Sequence, residues 1–117
     1  MTSYNAIDGV PCTANKELLT DVLRNQWGFK GFVYSDLISI EGIVGMRAAK
    51  DNKEAAVKAL KAGLDMDLGG NAFGKNLKKA YEEGLITMAD LDRAVGNVLR
   101  LKFQMGLFEN PYVSPEL

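Results

Sequence analysis

The stretch Gly31-Phe32-Val33-Tyr34-Ser35-Asp36 is a mostly apolar run that ends in a carboxylic acid. Such a run is typical of a buried strand, which we predict over residues 32–36. The two-residue period of a strand places Phe32, Tyr34 and Asp36 on one face. In parallel α/β folds, ligands bind beyond the carboxyl ends of the strands. The stretch therefore predicts an α/β fold in which Asp36 reaches the ligand-binding edge of the sheet.

Strand and helix patterns alternate along the rest of the chain. An apolar run predicts a second strand at 64–68, and residues 1–4 are interpreted as a short strand end. Helical spacing and end signals predict four helices, at 15–26 after a Thr13 cap, at 53–62 after an Asn52 cap, at 71–83, and at 88–105 after a Thr87 cap. Two glycines weaken the pattern over 37–45, which predicts a loop with one helical turn. The fold class is thus α/β, with about three βα units, parallel strands joined by right-handed crossovers, and an extra C-terminal helix.

Composition excludes several classes of function. The 117 residues carry a net charge of -1 without a basic run, so we expect no nucleic-acid partner. No apolar stretch approaches the roughly 20 residues of a membrane helix, and Met1 is not followed by a basic segment and an apolar run, so neither a membrane partner nor a targeting segment is expected. A single cysteine, Cys12, cannot form an internal disulfide.

The chain contains no histidine. This excludes nucleophiles that a histidine activates, and all metal sites that depend on imidazole ligands. Carboxylates, lysines and hydroxyls must therefore carry any chemistry. Separately, we expect no metal site and no organic cofactor.

Four segments around Asp36 carry a family resemblance. They are Ser3-Tyr4-Asn5, Asp8-Gly9-Val10-Pro11-Cys12-Thr13-Ala14-Asn15-Lys16, Trp27-Gly28-Phe29-Lys30-Gly31-Phe32-Val33 and Ala62-Gly63-Leu64-Asp65-Met66-Asp67. The chain resembles the family 3 glycoside hydrolases, the β-glucosidase and β-xylosidase family. The resemblance implies that residues 1–109 are the C-terminal part of a TIM-type (β/α)8 barrel domain, and that 110–117 begin a linker to a second domain. A complete barrel takes roughly 250 residues, so this chain cannot close one.

The resemblance also implies a catalytic mechanism and a substrate class. Asp36 is expected to be the catalytic nucleophile of a retaining β-glycosidase that acts on β-linked glucosides, xylosides or oligosaccharides. Tyr4 resembles the family tyrosine beside the nucleophile, and Leu37 stands where many members have a sugar-stacking tryptophan. Met66 is a further candidate for substrate contact, with a core position as the alternative. Full-length members are often periplasmic or secreted.

The second catalytic carboxyl group is the main gap in this interpretation. In the family, the acid/base residue typically comes from the domain after the barrel, and other sugar-binding residues come from earlier strands. Glu41 or Asp67 could in principle substitute, although neither lies in a supporting motif. We therefore expect the chain alone to be inactive and to need the missing barrel half and second domain as partners.

Asp65 and Asp67 alternate with apolar residues in the predicted strand at 64–68. Two charges on a buried strand are costly unless they are paired. Either both lie at the sheet edge beside Asp36, or one forms an ion pair with Lys16 or Arg24 and stabilises the fold.

Two other functions remain open on sequence alone. Residues 69–76 match the Gly-x4-Gly-Lys frame of a phosphate-binding loop, although Asn76 lacks the hydroxyl that would bind Mg²⁺. Alternatively the chain is a non-catalytic α/β fragment that forms a homo-oligomer, because an unclosed barrel leaves strand edges and apolar faces exposed.

Overall fold

The computed structural model describes residues 1–116, so Leu117 at the end of the predicted linker lies outside the described residues. Regular structure begins with a hairpin, β1 (Ala6–Ile7) and β2 (Val10–Pro11), and a 3-10 turn (Cys12–Ala14). The helices are a π-helix (Glu17–Gln26), α1 (Ser39–Gly45), α2 (Asn52–Ala62), α3 (Gly74–Glu82) and α4 (Met88–Gln104). No described helix combines the length and the apolar character that a bilayer crossing requires.

Three extended segments lie side by side at the centre of the molecule. Tyr34 and Met66 form a parallel bridge, and the Ser35 N–H donates to the Met66 carbonyl at 3.0 Å. On the other side of the middle segment, the Thr2 N–H donates to the Tyr34 carbonyl at 2.9 Å. The three extended segments correspond to the strands predicted at 1–4, 32–36 and 64–68. Within residues 1–116, however, the only two-stranded sheet is the antiparallel β1–β2 hairpin, so the prediction of three regular parallel strands is not confirmed.

The β1–β2 hairpin was not predicted. Its turn consists of Asp8 and Gly9, which both adopt positive φ angles, 49° and 79°. An Asp-Gly pair favours this conformation, because the turn requires positive φ angles at both central residues. The twist of this turn matches that of the two antiparallel strands. The Asp8-Gly9 pair is the sequence signal for this hairpin.

The helix after the hairpin begins differently from the prediction. Thr13 does not cap it, because its buried hydroxyl shares hydrogen bonds with the hydroxyls of Thr2 and Ser39 at 3.0 and 3.1 Å. Instead, the Asn15 side chain accepts from the Leu18 N–H at 3.0 Å. Thr13 therefore joins the first segment of the chain to α1.

The predicted loop at 37–45 is mostly a helix, α1. Its Ile40 and Ile43 side chains are completely or almost completely buried against the core. Residues three apart lie on the same helical face, so this pair anchors one side of α1. Tertiary packing thus outweighs the low helix propensity of Gly42 and Gly45.

The remaining helices agree with the sequence prediction to within a few residues. Asp51 rather than Asn52 caps α2, and its side chain accepts from the Glu54 N–H. Gly63 ends α2 in the left-handed conformation, with a φ of 111°. The third helix, α3, begins at Gly74, three residues later than predicted, and α4 begins after the predicted Thr87 cap.

Two apolar clusters meet at α2. The larger one joins the π-helix, the middle extended segment, α1 and α2 through buried residues that include Leu19, Val33, Ile40, Ala55 and Leu64. The smaller one joins α2 to α3 and α4, with Leu60, Ala80, Ile86 and Ala94 buried together. Alanines on α2 leave little side-chain bulk between the elements, so the helices approach closely and hold the extended segments in place.

Candidate active site

Asp36 lies where the middle extended segment ends, and it is partly exposed. One of its carboxylate oxygens accepts from the Leu37 N–H at 2.7 Å. The preceding residue, Ser35, is fully buried, and its hydroxyl oxygen accepts from the Leu68 N–H at 2.8 Å. Ser35 thereby ties the end of this segment to the end of its neighbour, and this fixes the backbone from which Asp36 projects.

Tyr4 lies against the turn that follows Asp36. Its phenol donates to the Leu37 carbonyl at 2.7 Å, although the residue is 52% exposed. Partial desolvation and then the neighbouring Asp36 carboxylate raise the pKa of the Tyr4 phenol. The phenol and the carboxylate thus bind the carbonyl and the N–H of the same residue, Leu37, even though they are 32 residues apart in sequence.

The other two predicted contact residues lie at different depths. Leu37 is 52% exposed and packs with one methyl group against Gly69. Met66 is partly buried beside Tyr34, two residues before Asp36. At about 3.3 Å per residue, Met66 lies roughly 6–7 Å below the end of the segment. The structure therefore brings Tyr4, Asp36 and Leu37 together and places Met66 deeper.

Ile38 is a neighbour of Asp36 that the sequence analysis did not identify. It is half exposed, and it adopts a left-handed backbone conformation with a φ of 59°. Such a conformation is rare for a β-branched residue. Its N–H donates to the Leu68 carbonyl at 3.1 Å, so the turn after Asp36 is held to the turn after the third extended segment.

Glu41 and Asp67 bind the backbone of the loop at 69–73. One Glu41 oxygen accepts from the Asn71 N–H at 2.9 Å, and one Asp67 oxygen accepts from the Phe73 N–H at 3.1 Å. Gly70 lies between the two carboxylates, where an added Cβ would come within 2.8 Å of both. The pair of glycines at 69–70 was the sequence signal for this close approach.

These contacts argue against the phosphate-loop alternative. A phosphate-binding loop presents free backbone N–H groups to the ligand. Here two of those groups already donate to carboxylates of the same chain, and the negative charge of Glu41 and Asp67 would repel a phosphate.

Asp65 has a structural role. Its side chain is 0% exposed and forms ion pairs with Arg24 at 2.5 Å and Arg93 at 2.7 Å. It also accepts from the Val33 N–H at 2.8 Å and from the Asn97 amide at 3.1 Å. The predicted pairing with Arg24 is confirmed, whereas the alternative partner Lys16 pairs with Asp21. Arg93 and Asn97 were not identified from the sequence, because nothing local indicates that α4 reaches Asp65.

Metal binding has no support in the arrangement of side chains. Over residues 1–116, no group of three or more histidine, cysteine, aspartate or glutamate residues is placed to hold a metal ion.

Comparison with known proteins shows one consistent similarity. Residues 1–101 match the family model described as the glycosyl hydrolase family 3 N-terminal domain. The chain is 42% identical to a periplasmic beta-glucosidase of Salmonella typhimurium over 112 residues, which is 96% of this chain. It is 43% identical to a putative beta-xylosidase of Formosa agariphila over 117 residues, or 99% of this chain.

A solved structure shows the same fold. The chain superposes on the beta-glucosidase of Listeria innocua in complex with isofagomine with a TM-score of 0.93 and 37% identity, over 97% of this chain. In all three cases the match covers only a small part of the other protein, 15% of the Salmonella relative and 16% of the other two. The chain thus corresponds to about one sixth or less of these relatives.

Proposed function

Since this chain belongs to glycosyl hydrolase family 3, we propose that it carries the nucleophile of a retaining β-glycosidase active site, and that this nucleophile is Asp36. The observation that carries the proposal is the position of Asp36, which is partly exposed at the end of an extended segment and adjacent to the Tyr4 phenol.

The proposed reaction has two steps. Asp36 attacks the anomeric carbon of a terminal β-linked sugar, while a second carboxyl group protonates the leaving oxygen. The resulting glycosyl ester on Asp36 is then hydrolysed by a water molecule, from which the second group removes a proton. Two inversions give net retention, and the chemistry needs no metal ion.

Tyr4 and Leu37 have supporting roles in this proposal. The Leu37 N–H donates to Asp36 and the Leu37 carbonyl accepts from Tyr4, so the turn links the carboxylate to the phenol. We expect this arrangement to orient Asp36 toward the sugar. The exposed Leu37 side chain would contact the substrate, and Met66 would line the site at a deeper level.

We propose terminal β-linked glucosides or xylosides as substrates, on the basis of similarity to relatives named beta-glucosidase and beta-xylosidase. A retaining enzyme requires a second carboxyl group about 5–5.5 Å from the nucleophile. Glu41 and Asp67 both accept hydrogen bonds from the 69–73 loop, so we assign neither to this role. We infer that the acid/base comes from polypeptide outside these residues, with 1–109 forming part of a barrel domain and 110–117 beginning a linker.

The proposal can be tested in a chimera that replaces the matching segment of the Salmonella beta-glucosidase with residues 1–101 of this chain. We expect the chimera to hydrolyse an aryl β-glucoside. Asp36→Asn should lower kcat by at least about a thousandfold, because a lost nucleophile removes covalent catalysis. Azide should restore turnover of an activated aryl glucoside by Asp36→Gly, and the product should be the α-glycosyl azide, since azide attacks from the side that Asp36 would have occupied.

Asp92→Asn is the matched control, because Asp92 is exposed on α4 and far along the chain from Asp36. It should leave kcat unchanged. A folded chimera in which Asp36→Asn keeps most of its activity would contradict the proposal. Turnover by the isolated 117-residue chain that Asp36→Asn abolishes would support Asp36 as the nucleophile, but it would contradict the inference that the acid/base comes from polypeptide outside these residues.

A further inference from the structure

Leu37 and Gly69 touch across two turns that lie at the end of the extended segments. Gly69 has a φ of +66°, and a Cβ built on it would lie 2.2 Å from a terminal methyl carbon of Leu37. The missing Cβ therefore leaves the space that the Leu37 methyl group occupies. With any larger residue at position 69, the Leu37 side chain would have to move.

Hydrogen bonds on both sides of this contact limit how the two turns can respond. The Leu37 N–H and carbonyl are engaged by Asp36 and Tyr4. The next residue, Ile38, donates to the Leu68 carbonyl, immediately before Gly69. Because the backbone is held, we expect a clash at Gly69 to be relieved by rotation of the flexible Leu37 side chain.

The direction of that rotation matters for the site. Gly69 lies on one side of Leu37, and the Tyr4 phenol lies at its carbonyl. A Leu37 side chain that is displaced from Gly69 is left with the solvent-exposed side of the turn. Because the partly exposed Asp36 directly precedes Leu37, we expect a substrate to approach from that side.

We propose that Gly69 is a specificity-determining position, which keeps the Leu37 side chain against the 68–70 turn and so holds open the approach to Asp36. This inference rests on the proposed function for its effect on substrates. The juxtaposition of Leu37 and Gly69 does not depend on that function.

An alanine at position 69 would push the Leu37 isobutyl group toward the bound sugar. A glucoside carries a hydroxymethyl group that a xyloside lacks, so it needs more room. The ratio of kcat/KM for an aryl β-glucoside to kcat/KM for the matching aryl β-xyloside should therefore fall. One misplaced methylene in a pocket changes discrimination by about tenfold or more, and we expect a change of that size.

The first measurement is made on the 117-residue chain and needs no activity. With labelled leucine methyl groups, the Leu37 methyls should show nuclear Overhauser contacts to the Gly69 α-protons. In Gly69→Ala the contacts between the Leu37 methyl groups and the backbone protons of residues 68–70 should be lost. Absence of the Leu37–Gly69 contacts in the unaltered chain would overturn the proposal even if no variant folds.

The second measurement uses the chimera. Gly69→Ala should lower the glucoside-to-xyloside ratio mainly through KM. Gly84→Ala is the matched control, because Gly84 has a similar φ of +71° but no atom near an added Cβ, so it has the same backbone strain without the clash. It should leave the ratio unchanged.

A double variant separates the side-chain clash from loop damage. In a Leu37→Ala background, Gly69→Ala should have no further effect on the ratio, because the clashing methyl group is gone. If Gly69→Ala lowered the ratio equally in the unaltered and the Leu37→Ala backgrounds, the proposal would be overturned. An unchanged ratio in Gly69→Ala in an active chimera would also overturn it.

Discussion

At the scale of single residues, Asp36 and Asp65 differ in burial and in how their carboxylate oxygens are satisfied. Asp65 is fully enclosed, and two guanidinium groups, an amide and a backbone N–H satisfy its oxygens. Asp36 is partly exposed, and a backbone N–H and a phenol are its neighbours. An acid with two arginine partners has no free lone pair facing a substrate, whereas an acid at the end of a segment can face one.

Asp65→Asn should destabilise the chain strongly. The substitution removes the charge that pairs with Arg24 and Arg93, and leaves two partly buried cations without a counter-ion. Breaking a buried pair in this way costs about 3–5 kcal/mol, which is a large share of the stability of a small domain. Urea unfolding followed by circular dichroism would measure the change in the free energy of unfolding.

The control for this measurement is again Asp92→Asn on the exposed surface of α4. It should change the free energy of unfolding by no more than about 0.5 kcal/mol. If Asp65→Asn proved as mild as this control, the network around Asp65 would not be an important source of stability.

At the scale of elements, the helix ends differ in how far local sequence explains them. Thr87 and Asp90 form a reciprocal capping box at the start of α4, where the Thr87 hydroxyl accepts from the Asp90 N–H and the Asp90 carboxylate accepts from the Thr87 N–H. Both residues are local, and the cap was predicted from the sequence. The start of α1, by contrast, has no side-chain cap and depends on packing of Ile40 and Ile43.

Thr87→Ala should lower the free energy of unfolding by about 1 kcal/mol, the usual cost of removing an N-cap side chain. Thr87→Ser keeps the hydroxyl and is the matched control, so it should retain most of the stability. Thermal melts of the two variants would compare them directly. Equal melting temperatures for Thr87→Ala and the unaltered chain would contradict this role of the cap.

The same cap gives α4 a dependence on pH. The backbone hydrogen bond from Thr87 is the main cause that lowers the pKa of the Asp90 carboxyl group, against a smaller opposing effect of burial. A carboxyl group whose pKa is lower in the folded state stabilises the fold above its unfolded pKa of about 3.9. That contribution is lost as the pH falls through the folded pKa, so Asp90→Asn should reduce the loss of stability in this acidic range.

At the scale of the whole molecule, the chain leaves much apolar surface uncovered. Its radius of gyration is 15.1 Å, whereas a compact domain of similar length is expected to have about 13 Å. On α4, Val95, Leu99 and Phe103 follow one another at four-residue intervals and are all exposed. Helix positions four apart share a face, so these residues form an apolar stripe on the outer side of α4.

This apolar stripe favours the alternative expectation of self-association for the isolated chain. We expect a concentration series in light scattering to show an apparent mass that rises above that of the monomer. Phe103→Lys should shift the series toward monomer, because it places a charge in the stripe. Gln104 is the exposed neighbour of Phe103, and Gln104→Lys adds the same charge outside the stripe, so it should have little effect. If the unaltered chain were a monomer at every concentration, the stripe would not drive association.

Local sequence was enough to predict the α/β class, most of the helices and the α4 cap, and it offered the Asp65–Arg24 pair as one of several alternatives. These depend on hydrophobic period, capping residues and the cost of a buried charge, which act over a few residues. Asp36 was singled out in the same way, as an acid at the end of an apolar run, and its catalytic role stays a proposal.

Only the tertiary structure determined the contacts that join distant parts of the chain. The sequence did not indicate that Arg93 and Asn97 would reach Asp65, that Glu41 and Asp67 would hold the 69–73 loop, or that Leu37 would rest on Gly69. Residues 37–45 became mostly a helix, because packing of Ile40 and Ile43 against neighbouring elements outweighed local propensity. Such contacts depend on where separate elements meet in space, and no period or motif within a single segment encodes that.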